Sequence, residues 1–194
     1  MVTTAKRYTP AEYLAQEKNS DVRHELIESG VFRMAGASAN HNRISLNFCR
    51  LFPLEIQGQR YEIFMSDMRL WLPAYESYTY PDVMVIRGEP RFTDSGQTAV
   101  TNPCLIMEVL SPSTEGYDKS AKFRLYRSLL DFEEYLLVDQ ATHYVEQFTK
   151  VDEQRWLLTE RVGEASVLAL QSMAVEMRLK NLYDRVRFEP KAVE

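Results

Sequence analysis

Two short stretches of this chain are almost wholly apolar, and each carries one carboxylate: Asp82-Val83-Met84-Val85-Ile86 and Leu105-Ile106-Met107-Glu108-Val109-Leu110. Runs of this kind suit strands covered on both faces, so the chain is predicted to fold around a layered sheet. A lone buried carboxylate is expensive unless it is paired or bound to a cation. Neighbouring strands bring facing side chains within roughly 5 Å, close enough for Asp82 and Glu108 to share one ion. Without an ion, their repulsion pushes one pKa upward. A hard divalent ion such as Mg²⁺ removes that conflict and can stabilise charge on a phosphate being cleaved. A plainer reading stands beside this one, in which Asp82 caps a strand or turn and Glu108 pairs with an arginine.

The elements around these runs are legible from spacing. Thr9 and Pro10 open a first helix, which stops near Asn19-Ser20-Asp21. Arg23 to Ile27 and Val31 to Met34 read as a strand pair turning at Ser29-Gly30. Ser38 caps a second helix whose buried face is Ile44, Phe48, Leu51 and Phe52. Strands follow at Tyr61–Met65, Arg69–Leu72, from Asp82 to Ile86, and from Leu105 to Leu110, where Pro112 ends the run. The Gly- and Pro-bearing stretch between the last two reads as a long loop. A helix from Asp118 to Leu130, strands at Glu134–Asp139, Tyr144–Phe148 and Trp156–Glu160, and a closing helix from Leu179 to Arg187 complete the chain. The order is α/β, with a mixed central sheet flanked by helices, an extra N-terminal hairpin and additional C-terminal strands. Residues 1–194 carry no linker or repeat and read as a single domain.

Composition narrows the function. Hydrophobic residues make up 45% and charged residues 26%, a mixture suited to a globular core. No apolar run is long enough to span a membrane, and no secretory signal opens the chain. Cys49 and Cys104 are the only cysteines and read as buried free thiols, which with the missing signal points to the cytoplasm. A net charge of −5 argues against a dedicated nonspecific nucleic-acid binder but leaves room for an enzyme with acids gathered at a metal.

A nearby amine would orient water or stabilise a pentacovalent phosphate. Two residues beyond Glu108 on the same strand face stands Leu110, so the strand does not supply it. Lys119 and Lys122 on the next helix are the nearest candidates, and Lys119 reads as solvated helix charge. His41, just inside the second helix, could touch a phosphate, assist proton transfer or help place a neighbouring acid. A set of Ser111, His41 and Asp139 has no Gly-x-Ser-x-Gly elbow around the serine, and the seven glycines form no phosphate loop. Arg43, Arg50, Lys119, Arg124 and Arg127 read equally as a DNA-flanking set or as a solvated surface.

Several segments in order carry a resemblance: Arg23-His24-Glu25-Leu26-Ile27; Met34-Ala35-Gly36-Ala37-Ser38 with His41-Asn42-Arg43-Ile44; Tyr80-Pro81-Asp82-Val83; the string NPCLIMEVLSPST from Asn102 to Thr114; Tyr117-Asp118, Lys122-Phe123 and Tyr126-Arg127; and the segment from Glu134 to Asp139. Together they resemble the Uma-type family of restriction-endonuclease-like proteins within the PD-(D/E)XK nuclease superfamily, over nearly the whole chain. The resemblance implies a restriction-endonuclease-like core and Asp82 and Glu108 as metal ligands. It also implies that the lysine has moved to the helix as Lys122, and that Glu25 is an early acidic position able to complete the site. The usual Asp-Gly-Glu-like hairpin turn is here Glu28-Ser29-Gly30-Val31, which weakens any role for a second acid there. The expected activity is Mg²⁺- or Mn²⁺-assisted endonucleolytic hydrolysis of DNA, or of RNA, with a homodimer where both strands are cut. The alternatives are a non-catalytic nucleic-acid-binding or accessory protein that keeps the fold, and a hydrolase of another phosphorylated substrate.

Overall fold

The computed structural model describes residues 6–34, 36–111 and 115–188. In chain order these form α1 (Pro10–Glu17), β1 (His24–Ile27), β2 (Gly30–Arg33), α2 (Ala39–Leu51), β3 (Glu55–Ile56), β4 (Gln59–Met65), β5 (Arg69–Leu72), β6 (Ser77–Thr79), β7 (Val83–Arg87), β8 (Ala99–Val100) and β9 (Pro103–Leu110). A helical segment follows, made of α3 (Glu115–Tyr117), a π-helical turn (Asp118–Lys122) and α4 (Phe123–Tyr126). Then come β10 (Glu134–Asp139), β11 (Tyr144–Lys150), β12 (Trp156–Val162), β13 (Val167–Leu170), β14 (Val175–Arg178) and α5 (Leu179–Leu182).

The helix starts obey capping chemistry. Thr9 Oγ1 accepts from the Glu12 amide while the Glu12 carboxylate accepts from the Thr9 amide, so two orphan donors are satisfied reciprocally. Ser38 Oγ accepts from the amide of His41 at 3.0 Å, which fixes the start of α2.

The main sheet has seven strands in the order β12-β11-β10-β9-β7-β4-β3. Strands β9 and β10 run parallel, and their other pairings are antiparallel. Every residue of β9 is buried, as its apolar run requires. Side chains alternate along it: Leu105, Met107 and Val109 join Ile44 and Phe48 of α2 on one face, while Ile106 and Leu110 join Leu125 and Tyr126 of α4 on the other. Glu108 shares the parity of Ile106 and Leu110, so it enters the face covered by the helical segment. In β7, pairing continues to Val83 opposite Met107, which brings Asp82 alongside Glu108 where the two strands meet their ends.

A second sheet of five strands, β2-β1-β6-β5-β8, packs the N-terminal hairpin into the body of the molecule. The hairpin turn bends at Glu28 and Ser29, both with positive φ. The hairpin is therefore no appendage, because Leu26 of β1 pairs with Tyr78 of β6. Glu17 ties α1 to it, since the Glu17 carboxylate accepts from the His24 amide at 3.0 Å and from the Tyr80 hydroxyl at 3.1 Å.

Four expectations change. The stretch expected as a long loop contains β8, which pairs with β5. The helix expected over 118–130 begins at Glu115, widens into the π turn and ends at Tyr126, where Ser128 Oγ captures the Leu125 carbonyl at 2.7 Å. The closing helix is one turn long, because Arg185 takes a left-handed φ of 62° and the chain leaves helical geometry before it. Asp82 stands just before its strand, its backbone and side chain committed to the site described below. Strand β9 ends at Leu110, and the expected stop at Pro112 lies outside the described residues. Cys104 is buried and Cys49 half-buried, both free thiols. Among the described residues, no helix is long and apolar enough to cross a membrane.

Candidate active site

Backbone amides tie the two carboxylates together. The amide of Asp82 donates to Glu108 Oε2 at 3.2 Å, and the amide of Val109 donates to Asp82 Oδ2 at 2.8 Å. Antiparallel register between β7 and β9 makes this reciprocal contact possible, and it fixes both acids at one end of the pair. His41, on the first turn of α2, reaches the same point, with Nε2 2.9 Å from Asp82 Oδ2.

From the other side, the helical segment delivers Lys122. Its ammonium lies 3.1 Å from Glu108 Oε1, 3.3 Å from Asp118 Oδ1 and 3.4 Å from Glu25 Oε1. Glu25 is held on β1, where its Oε1 also accepts from the Tyr80 amide at 3.1 Å. Tyr126, one turn beyond Lys122, donates its hydroxyl to Glu108 Oε1 at 2.8 Å. Thus Asp82, Glu108, Lys122, Glu25 and His41 all fall in one connected cluster.

Electrostatics follow from burial and from an excess of acid. Burial is the largest influence on Glu108 and raises its pKa well above the ordinary carboxylate value; Asp82, Asp118 and Glu25 push the same way, and Lys122 opposes them. For Lys122 burial alone would favour the neutral amine, but Glu108, Glu25 and Asp118 outweigh it and hold the side chain as an ammonium. Both directions express one fact: three carboxylates surround one lysine, with Asp82 and His41 at the edge. Among the described residues, no three His, Cys, Asp or Glu side chains form a ready-made cation cage, because Lys122 occupies the point where Glu25, Glu108 and Asp118 converge. The pair that could hold a hard cation is Asp82 with Glu108, each of which takes a backbone amide beside the other.

Other candidates lie elsewhere. Lys119, expected to be solvated, pairs with Glu146 at 2.7 Å and Glu115 at 3.0 Å. Arg43 donates to Asn40 at 3.2 Å, Arg124 pairs with Glu28 at 2.8 Å, and Arg127 lies over the Phe123 ring. Of the Ser111–His41–Asp139 set, His41 turns to Asp82, while the Asp139 carboxylate takes the Ala141 amide and the Thr142 hydroxyl. The reading in which Glu108 pairs with an arginine also fails, because its cation is Lys122.

Sequence reasoning left Asp118, Tyr126 and Tyr80 out of the site. Asp118 and Tyr126 each lie four residues from Lys122, a spacing that puts side chains on one side of a helical segment and could have drawn attention to them. Replacing Tyr126 by Phe removes the donor on a buried carboxylate. We expect a loss of about 1.5–3 kcal/mol in urea unfolding, the range for hydrogen bonds to charged groups. An unchanged midpoint would mean that the hydroxyl contributes nothing to holding Glu108.

The family model Uma2, described as "Putative restriction endonuclease", matches residues 10–180. An uncharacterized protein of Synechocystis sp. is 51% identical over 175 residues, covering 90% of this chain and 99% of that protein. A second uncharacterized Synechocystis protein is 35% identical over 182 residues, covering 94% of each. Among solved structures, a "putative nuclease belonging to DUF820" from Anabaena variabilis superposes with a TM-score of 0.70 at 15% identity, covering 91% of this chain and 98% of that one, a likeness of fold. With the family model matched across both strand acids and the helical lysine, the chain belongs to the Uma2 family of restriction-endonuclease-like proteins.

Proposed function

We propose that this protein is a divalent-cation-dependent endonuclease that hydrolyses phosphodiester bonds in DNA. The observation that carries the reading is the mutual clasp of Asp82 and Glu108 with Lys122 at its inner edge. The donor set suits Mg²⁺ or Mn²⁺, which favour a few carboxylate oxygens together with waters. The excess of acid over base in the cluster points the same way. Asp82 and Glu108 would hold the ion, which when bound supplies Lewis acidity and neutralises charge on the phosphate.

The chain's own residues supply the rest. Lys122, kept as an ammonium by its acids, places a positive donor where negative charge grows on the phosphate. Glu25 helps hold that amine. His41 braces Asp82 through Nε2 and stands at the rim of the site, able to shuttle a proton. Tyr126 fixes the orientation of Glu108. We read residues 1–194 as one domain acting in the cytoplasm, with a second copy engaged where both strands are cut; RNA is an alternative substrate.

The test is nicking of supercoiled plasmid by purified protein with millimolar Mg²⁺ or Mn²⁺, repeated with chelator and with single-stranded RNA. Cleavage that requires the cation supports the reading. Unchanged plasmid under every cation sinks it. One observation favours a second reading, a non-catalytic protein that retains the fold: Lys122 already fills the centre of the acid cluster, so a cation must compete for Glu108. Calorimetry with Mn²⁺ separates the two, because absence of binding at millimolar ion belongs to the second.

A further inference from the structure

Among the described residues, Lys122 meets three carboxylates where no other basic side chain meets more than two, and the three are not equivalent. Glu108 also takes the Tyr126 hydroxyl and the Asp82 amide, and Glu25 also takes the Tyr80 amide. Asp118 is 2% exposed, its Oδ1 has no hydrogen-bond partner, and Lys122 is its one ionic partner among the described residues. A carboxylate so deeply buried needs a compensating partner, and the Lys122 ammonium is the ionic one among the described residues. Its position is built. The π-helical turn Asp118–Lys122 brings its first and last side chains together, and the Tyr135 hydroxyl donates to the Asp118 carbonyl at 3.1 Å. Turns widened in this way recur at functional sites.

We infer that Asp118 is a positioning residue: with Glu25 it anchors the Lys122 ammonium, so that Glu108 can give its oxygens to a cation while the amine stays in place. An ammonium carries three donors, and three carboxylates surround this one. When Glu108 is drawn away, two acceptors remain, and both stand on elements other than β9. Without Asp118, only Glu25 would hold the amine against repulsion from the incoming ion. The purpose of this anchoring rests on the nuclease reading, whereas the anchoring itself rests on geometry alone.

The two are separable by experiment. Lysine-selective ¹⁵N labelling reports the Nζ protons of an immobilised buried ammonium, assigned by their loss in Lys122→Met. Glu108→Ala removes that acceptor without any metal. The Lys122 resonance is expected to survive in Glu108→Ala and in Asp118→Asn but to broaden beyond detection in the double variant. Its survival in the double variant would overturn the inference. Because that protein removes two buried acids, the single Asp118→Asn variant in saturating Mg²⁺ repeats the test, with the signal expected to persist in wild type and to vanish in the variant. In Mn²⁺-supported cleavage, Asp118→Asn is expected to lower kcat by roughly 10-fold to 10²-fold, the scale for losing the placement of a stabilising group, with cation Kd within about threefold. Asp118→Glu should recover part of kcat. A rate loss explained wholly by weaker cation binding would make Asp118 a ligand and overturn the assignment. No cation binding and no cleavage by the wild-type protein would overturn the nuclease reading, and with it the purpose of the anchor, whatever the resonance does.

Discussion

Lys122→Met is expected to destabilise the folded protein by roughly 3–5 kcal/mol at neutral pH, the scale for leaving buried charge without its partner. The substitution keeps the length of an apolar stem, so the change is electrostatic rather than a cavity. Three carboxylates, Glu25, Glu108 and Asp118, would then face one another with no cation between them. The pH dependence has a definite sign. Glu108 is already raised above the ordinary carboxylate value by burial, and Lys122 is the group that restrains the rise. An acid raised in the folded state contributes stability that is full below its unfolded pKa and is lost as pH rises through its folded pKa. Removing Lys122 lifts that folded value further, so the deficit of the variant is widest at neutral and alkaline pH and shrinks on acidification. Urea unfolding of both proteins at pH 8 and pH 5 measures this. A deficit of the same size at both values would show that the ammonium is not compensating the buried acids.

The parts of this architecture that were legible in the sequence are those where one physical constraint acts alone. Continuous apolar runs gave β7, β9 and β10, since a strand buried on both faces leaves no room for polar alternation. Thr9, Pro10 and Ser38 marked helix starts because capping is local chemistry. The pairing of Asp82 with Glu108 followed from two acids in adjacent strands, while the absence of an amine at Leu110 pointed to Lys119 and Lys122, and the family resemblance to Lys122. What stayed hidden depends on partners far apart in the chain. Strand β6 is three residues long and exists because Leu26 and Leu70 supply neighbours on both sides, which no window around Ser77 reveals. The π turn was read as ordinary helix, since one extra residue per turn alters apolar spacing too little to register over five residues. Asp118 therefore reads in the sequence as part of a motif and not as a side chain facing Lys122. Arg185 ends the last helix through its backbone, without any glycine or proline to announce it.

Asp82→Asn is expected to reduce cation-supported cleavage by at least roughly 10²- to 10³-fold, comparable to removing one group that stabilises developing charge. The variant isolates charge from shape. An asparagine carbonyl can still accept from the Val109 amide, so the clasp between β7 and β9 keeps its geometry. What disappears is one of the two negative charges offered to a hard cation, which is also the anionic partner of His41 Nε2. Asp82 is among the charges that raise Glu108, so its neutralisation relieves repulsion, and the unfolding midpoint is not expected to fall. A loss of activity without a loss of stability is therefore the signature. His41→Ala tests the edge of the same contact and should cost less, about 10- to 10²-fold, as expected for a residue that orients a ligand. Initial nicking rates in Mn²⁺, measured beside thermal unfolding, decide the matter. If Asp82→Asn cut at the wild-type rate, the carboxylate would have no part in the reaction, and the interlocked acids would be a structural brace between two strands.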